Sequence, residues 1–400
     1  MTLWLAWLGS VVSTWALTSA GWDGSLVDGG LAQDRDAALQ ASESDLTSVI
    51  DAASAWLVEH QAATGAWGSH HSSRPIEVFC SPPGSHDAFR VGTTGLCVIA
   101  LLDAHRLVGR GGPRERMALE RGVDYLCGHW DVKRVDNLEH YSVWGLGYGL
   151  RALAEYLLYG ADPLRESRVR AACAALVEKL SLYQALDGGW GYLSLAGIKT
   201  ARPSWTSMSF TTATIVVALE RARGAGLAVP QGMLDKAGAA IERCRTPSGF
   251  FTYGEYWNRA PVALINRAAG AACRTPACLL ALALAGRGLG EKASASALEN
   301  LLVRQARFQV LGLRRPIPHE SWYAISGYFY LYGHAYAAGL LEQESPLLRR
   351  RFASELARGV LVCRQPDGSF WDYPLYSYHK PYGTAFALIA LSRAQRFARK

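Results

Sequence analysis

Charge is scarce in this 400-residue chain: Asp, Glu, Lys and Arg make up 19%, against 50% apolar residues. A disordered or polyelectrolyte chain shows the opposite balance. The net charge of +7 is spread out, with its densest runs at Arg349-Arg350-Arg351 and between Arg393 and Lys400. A nucleic-acid binder concentrates its cations on one face, so no nucleic-acid partner is expected. None of the 8 Cys forms a Cys-x-x-Cys pair, which excludes zinc-ribbon spacing. Several sit in apolar runs such as Gly95-Leu96-Cys97-Val98-Ile99, where a thiol packs as a small hydrophobe. Cys80, in a Pro-rich stretch, is the best placed to form a disulfide if the chain is exported. Beyond the N-terminus no apolar run reaches the ~18 residues of a membrane span. No segment alternates strictly enough to indicate a sheet.

What the chain has in quantity is glycine, at 40 residues, and large aromatics: 13 Trp, 18 Tyr and 11 Phe. Such rings fill cores and line cavities for apolar or cationic ligands. Leu3 to Leu17 is a run of 15 uncharged residues followed by Thr18-Ser19-Ala20. Residues 1–20 read as a secretory signal or N-terminal apolar segment, although no Lys or Arg precedes the run. Residues 21–45 read as a Gly/Asp/Ser/Ala linker. The expected location is periplasmic or extracellular if the signal reading holds and cytoplasmic otherwise, with no stable membrane span after processing.

Internal repetition organises the rest. Gln61-x-x-x-Gly65-x-Trp67 recurs as Gln184-x-x-x-Gly188-x-Trp190, then as Arg245-x-x-x-Gly249-x-Phe251, and in shortened form as Gln365-x-x-Gly368-x-Phe370. The aromatics are 123, 61 and 119 residues apart, close to two, one and two units of sixty. Intervening copies are expected at Gly128-His129-Trp130 and between Phe308 and Gly312. Each unit reads as two helices around the turn: an amphipathic one before it and one apolar on most faces after it. The spacing predicts an all-α fold of six hairpins over residues 46–395, second helices inside. Closure into a ring removes the need for polar end caps, which the terminal units lack. In the turns, glycine supplies positive φ, the aromatic covers a helix end and Gln bonds exposed backbone of the next hairpin, a structural role.

This pattern resembles the terpenoid-cyclase and protein-prenyltransferase superfamily, whose members share Gln-Trp repeats and an (α/α)6 toroid. The nearest local match is Asp367-Gly368-Ser369-Phe370-Trp371-Asp372 followed by Tyr376-Ser377-Tyr378-His379. The resemblance implies a central cavity for isoprenoid chemistry. The acidic Asp-x-Asp-Asp run of squalene-hopene-type cyclases has no counterpart; Asp34-Arg35-Asp36-Ala37 lacks the last acid. His379 stands at a zinc-ligand position of prenyltransferases, but Ser326-Gly327-Tyr328 stands where Asp-x-Cys would. No metal and no cofactor are therefore expected.

Polar and aromatic groups cluster where inner helices should begin. They are His86, Asp87 and Arg90; Glu139, His140, Tyr141 and Trp144; Trp205; Asn266 and Arg267. They continue with His319, Glu320 and Tyr323; Tyr328, Tyr332 and His334; and Asp372, Tyr376, His379 and Tyr382. In a ring these starts converge on one mouth, as a ligand pocket or as a plug. Glu139-His140 and His319-Glu320 are the acid–base candidates. Three functions follow: a binder or enzyme for an isoprenoid-like or other apolar small molecule, a non-catalytic toroid with a protein partner, and an (α/α)6 carbohydrate-active enzyme, which needs paired carboxylates.

Overall fold

The computed structural model describes residues 43–69, 83–133, 141–192, 207–255, 263–306, 329–372 and 379–399. All belong to one compact unit, Ser42–Lys400. Six helical hairpins follow one another, each an outer helix and then an inner one. They are α1 (Glu43–Glu59) with α2 (Pro83–Val108), α3 (Pro113–His129) with α4 (Ser142–Leu158), and α5 (Pro163–Leu182) with α6 (Ser209–Gly224). The chain continues with α7 (Gln231–Arg243) and α8 (Arg274–Leu284), α9 (Glu291–Glu299, prolonged by a π turn over Asn300–Arg304) and α10 (Tyr330–Glu342), and α11 (Pro346–Leu361) and α12 (His379–Arg399). Inner helices α2, α4, α6, α8, α10 and α12 pack in that order, and α12 returns onto α2. The chain is an (α/α)6 toroid. Among the described residues there is no strand, only isolated bridges such as Arg245–Phe251 and Arg364–Phe370 inside the turns. The segment His86–Val108 is long and apolar enough to cross a membrane. It forms most of α2 and is largely buried in the ring.

Neighbouring inner helices touch at backbone distance. A Cβ at Gly95 would lie 2.5 Å from the Tyr148 carbonyl oxygen, and one at Gly145 would lie 2.9 Å from that of Ala88. The hairpins are locked by their turns. Trp67 and Trp190 are buried, and their indoles donate to Leu57 O at 2.7 Å and Leu180 O at 2.9 Å. Those carbonyls belong to the last turns of α1 and α5, where helices leave acceptors unpaired. Gln61 donates to Gly65 O and Ala118 O, and Gln184 to Gly188 O and Met233 O, tying each turn to the next outer helix. Gln365 stays within its own turn, bonding Cys363 O. The last turn meets the first helix through Trp56 Nε1 on Asp367 at 3.2 Å. A threonine on the following inner helix accepts the aromatic's N–H: Thr94 from Trp67, Thr212 from Trp190 and Thr384 from Phe370. Gly128 is helical within α3, so the unit near 130 keeps its aromatic but not a glycine turn. Residues 308–312 lie outside the described residues.

One helix shows how both faces are used. Tyr330 and His334 of α10 turn outward: Tyr330 Oη donates to Gly359 O of α11, and the His334 ring lies against Gly359. Tyr332 and Tyr336 turn inward to Thr214 of α6. His334 therefore does not belong to the mouth.

Two outcomes follow. Gly188 and Gly249 both have positive φ, +96° and +85°, but a Cβ meets Lys236 O at 2.7 Å only at Gly188. Gly249→Ala should cost about 1–2 kcal/mol from backbone strain alone. Gly188→Ala should cost at least about 1 kcal/mol more, read by urea unfolding. Equal costs would contradict this packing. The second concerns acid. Burial pushes the His334 imidazole down to about 4. Between that value and its unfolded value of about 6.5, the unfolded state takes a proton that the folded state refuses, so stability falls with pH. The wild type should lose about 2 kcal/mol between pH 7 and pH 5 through this group, a slope absent in His334→Leu. The same slope in both proteins would overturn the assignment.

Candidate functional site

At the N-terminal ends of the inner helices, aromatic rings form a chain of contacts running from Phe89 to Phe329. Trp144 of α4 stacks near Tyr192 and Phe210, with centroids 6.2 and 6.1 Å away. Tyr141 lies 5.3 Å from Tyr192 and 5.2 Å from Phe89 of α2. Phe210 of α6 packs edge-on against Tyr253 at 5.0 Å and Phe329 at 5.1 Å. Tyr382 of α12 lies at the same end, between His379 at 4.9 Å and Phe386 at 5.8 Å. Trp144, Tyr192, Tyr253, Phe329 and Tyr382 are each only half-buried, whereas Phe210 is covered. The Tyr192 and Tyr253 hydroxyls bond each other.

Deeper in, the lumen is filled. Tyr332 lies 4.4 Å from Tyr336 and 6.0 Å from Phe386, and Phe386 lies 6.0 Å from Tyr148. Tyr148, Tyr332 and Tyr336 are buried. The Tyr332 hydroxyl donates to Phe210 O at 3.2 Å, and that of Tyr336 to Thr214 Oγ1 at 3.0 Å. Burial pushes the Tyr148 and Tyr332 hydroxyls well above the usual phenol range, so both stay neutral.

Below this girdle, the C-terminal ends of the inner helices carry an ionic floor. Arg151 bonds Glu155 at 2.8 Å, and Arg221 approaches the same carboxylate at 3.9 Å. Arg393 bridges Asp103 at 2.8 Å and Glu342 at 3.3 Å; Arg106 and Arg396 flank those acids. Burial works against the charge on Glu155, but Arg151, Arg221 and Arg393 hold its carboxyl below the usual range. Burial pushes Asp103 up despite Arg393. Five arginines face three carboxylates, and the negative ends of the inner helices offset the surplus. Among the described residues, one end of the inner helices therefore carries aromatic rings and the other carries ion pairs.

Of the residues expected at the mouth, Trp144 and Tyr382 line it, and Tyr332 sits below in the girdle. His379 opens α12 and is buried beside Tyr382. Asp372 is fully buried and accepts the Leu331 N–H at 3.1 Å, so it caps α10. His86 is buried, Asp87 pairs with Arg90 at 3.6 Å, and Asn266 accepts the Tyr253 N–H at 2.9 Å. Glu139, His140, Trp205, His319, Glu320, Tyr323, Tyr328 and Tyr376 lie outside the described residues. Among the described residues, no group of three His, Cys, Asp or Glu could hold a metal ion. The seven described cysteines are free thiols; Cys80 lies outside the described residues. Sequence reasoning passed over Phe89, Tyr192, Tyr253, Phe329 and Phe386. A signal existed for two of them: Tyr192 and Tyr253 each follow a repeat aromatic by two residues. The floor had none, because its charges are scattered along five helices.

No protein-family model matches the chain, and no curated protein matches its sequence. Solved structures do resemble it. The cellobiose 2-epimerase from Spirochaeta thermophila DSM 6192 is 14% identical, with 88% of this chain and 97% of that one covered and a TM-score of 0.52. A possible member of the GH105 family from Klebsiella pneumoniae subsp. pneumoniae MGH 78578 is 12% identical, with 89% and 94% covered and a TM-score of 0.51. The type II terpene cyclase MstE from Scytonema is 15% identical, with 89% and 99% covered and a TM-score of 0.49. The likeness to the epimerase and to the GH105 protein, at these identities, establishes the helical toroid and no particular chemistry, since one fold hosts many.

Proposed function

We propose that the aromatic mouth binds, and as an enzyme would transform, an apolar isoprenoid-like small molecule. The observation that carries this reading is the half-buried rings of Trp144, Tyr192, Tyr253, Phe329 and Tyr382 above a closed girdle. Half-buried rings remove a ligand's apolar area from water while their hydroxyl tips orient it. The girdle sets the depth, so the ligand lies across the mouth and not along the axis. A second reading, a sugar stacked on the same rings, is favoured by the near-parallel planes of Tyr141 and Tyr192, 16° apart. Glycoside chemistry would also need two opposed carboxylates. Asp372 is committed to its cap and Asp87 to Arg90.

A fluorescent farnesol analogue should bind the wild type with micromolar affinity. Trp144→Ala should weaken it about tenfold, the equivalent of ~1.4 kcal/mol, while Leu164→Ala on the exterior changes nothing. Thermal unfolding measured in parallel confirms that the variants fold. Absence of binding, or displacement of the probe by cellobiose but not by unlabelled farnesol, would overturn the isoprenoid reading.

A further inference from the structure

Arg274, the first residue of α8, is 4% exposed, yet among the described residues no carboxylate pairs with it. Its guanidinium donates to Phe251 O at 2.8 Å, Gly270 O at 2.9 Å, Ile265 O, and Asn266 Oδ1 at 3.3 Å. Burial lowers it to about 10, so it remains a cation at neutral pH. Among the described residues, the acids of the adjacent turns are committed elsewhere. Glu255 is held by Arg243 at 2.7 and 2.9 Å, Asp187 accepts from Ser207 and Gly189, and Asp372 accepts from Leu331. Buried charges are ordinarily balanced by an opposite one. This one lies 5.8 Å from the Tyr253 ring centroid, immediately behind the mouth. Tyr253 in turn holds Tyr192 through its hydroxyl. The N-termini of α6 and α8 bring their positive ends to the same side.

We propose that the molecule taken by the mouth is an amphiphilic anion, an apolar chain ending in a carboxylate or phosphate. This inference rests on the reading of the mouth as an apolar ligand site. The chain lies on Trp144, Phe329 and Tyr382, and the head meets the Tyr192–Tyr253 hydroxyls. Arg274 is a positioning residue. Its charge acts through space, and the Asn266 oxygen it bonds also fixes the Tyr253 backbone. Among the described residues, the cations of the opposite wall are paired, Arg90 with Asp87 and Lys380 with Asp367. The polarity therefore assigns an orientation as well as a class.

The test compares decanol, decanoate and decyl phosphate by calorimetry at low ionic strength, each below its micelle concentration. At least one anion should bind about tenfold more tightly than the alcohol, and added salt should shrink that gap. Which anion gains more tells the carboxylate source from the phosphate source. Arg274→Met should bring anion and alcohol within about twofold of each other, and Arg274→Lys should restore most of the gap. If Arg274→Met does not fold, the headgroup and salt comparisons on the wild type decide. Equal binding of all three ligands overturns the inference and leaves the apolar site standing. Failure of all three to bind overturns the site itself. A gap that survives in a folded Arg274→Met protein overturns the role given to Arg274.

Discussion

Everything in this molecule depends on inner helices meeting at backbone distance. Where Gly95 faces Tyr148 O and Gly145 faces Ala88 O, any side chain would hold the helices apart. Elsewhere the same approach is made by Gly333 against Cys273, whose Cβ lies 2.7 Å from the place a glycine Cβ would occupy. With seams held this close at α2–α4 and α8–α10, the six inner helices close into a ring whose middle is filled by a few side chains. The turn motif helps keep them there: the Trp67 and Trp190 turns each bond the end of their own outer helix, the next outer helix and a threonine of the following inner helix.

A narrow lumen dictates layers. Four rings, Tyr148, Tyr332, Tyr336 and Phe386, fill its middle, and the hydroxyls of Tyr332 and Tyr336 take the Phe210 carbonyl and Thr214 as partners. Parallel inner helices bring all their negative ends to one side, which suits the arginine-rich floor, and all their positive ends to the other. The ends of a symmetric barrel thus differ in chemistry. One is sealed by ion pairs. The other keeps half-buried aromatic rings and, behind them, Arg274, which pairs with no carboxylate among the described residues.

The repeat made the architecture legible, because a glycine with positive φ and a covering aromatic are local necessities that recur with the hairpin. The depth of a side chain in the ring is not local. Tyr332 and His334 stand two residues apart near the start of α10, and both look like mouth residues in the sequence. Helical rotation sends one into the girdle and the other outward against Gly359. Asp372 looked like a mouth acid and is a cap for the preceding inner helix, a role that needs the fold to be seen. Thr94, Thr212 and Thr384 follow their aromatics by 27, 22 and 14 residues, so no fixed spacing betrays them. Arg274 reads in the sequence as an ordinary helix-start cation, and only burial without a carboxylate sets it apart.

The account stands or falls on where an apolar ligand sits. A crystal soaked with a terminally brominated decanoate would locate the chain by anomalous scattering. The account predicts one peak above Tyr332, within the ~4 Å contact distance of Trp144, Phe329 or Tyr382, with the carboxylate toward Tyr253. A peak below the girdle among Arg151, Glu155 and Arg393, or on the outer helices alone, would contradict it.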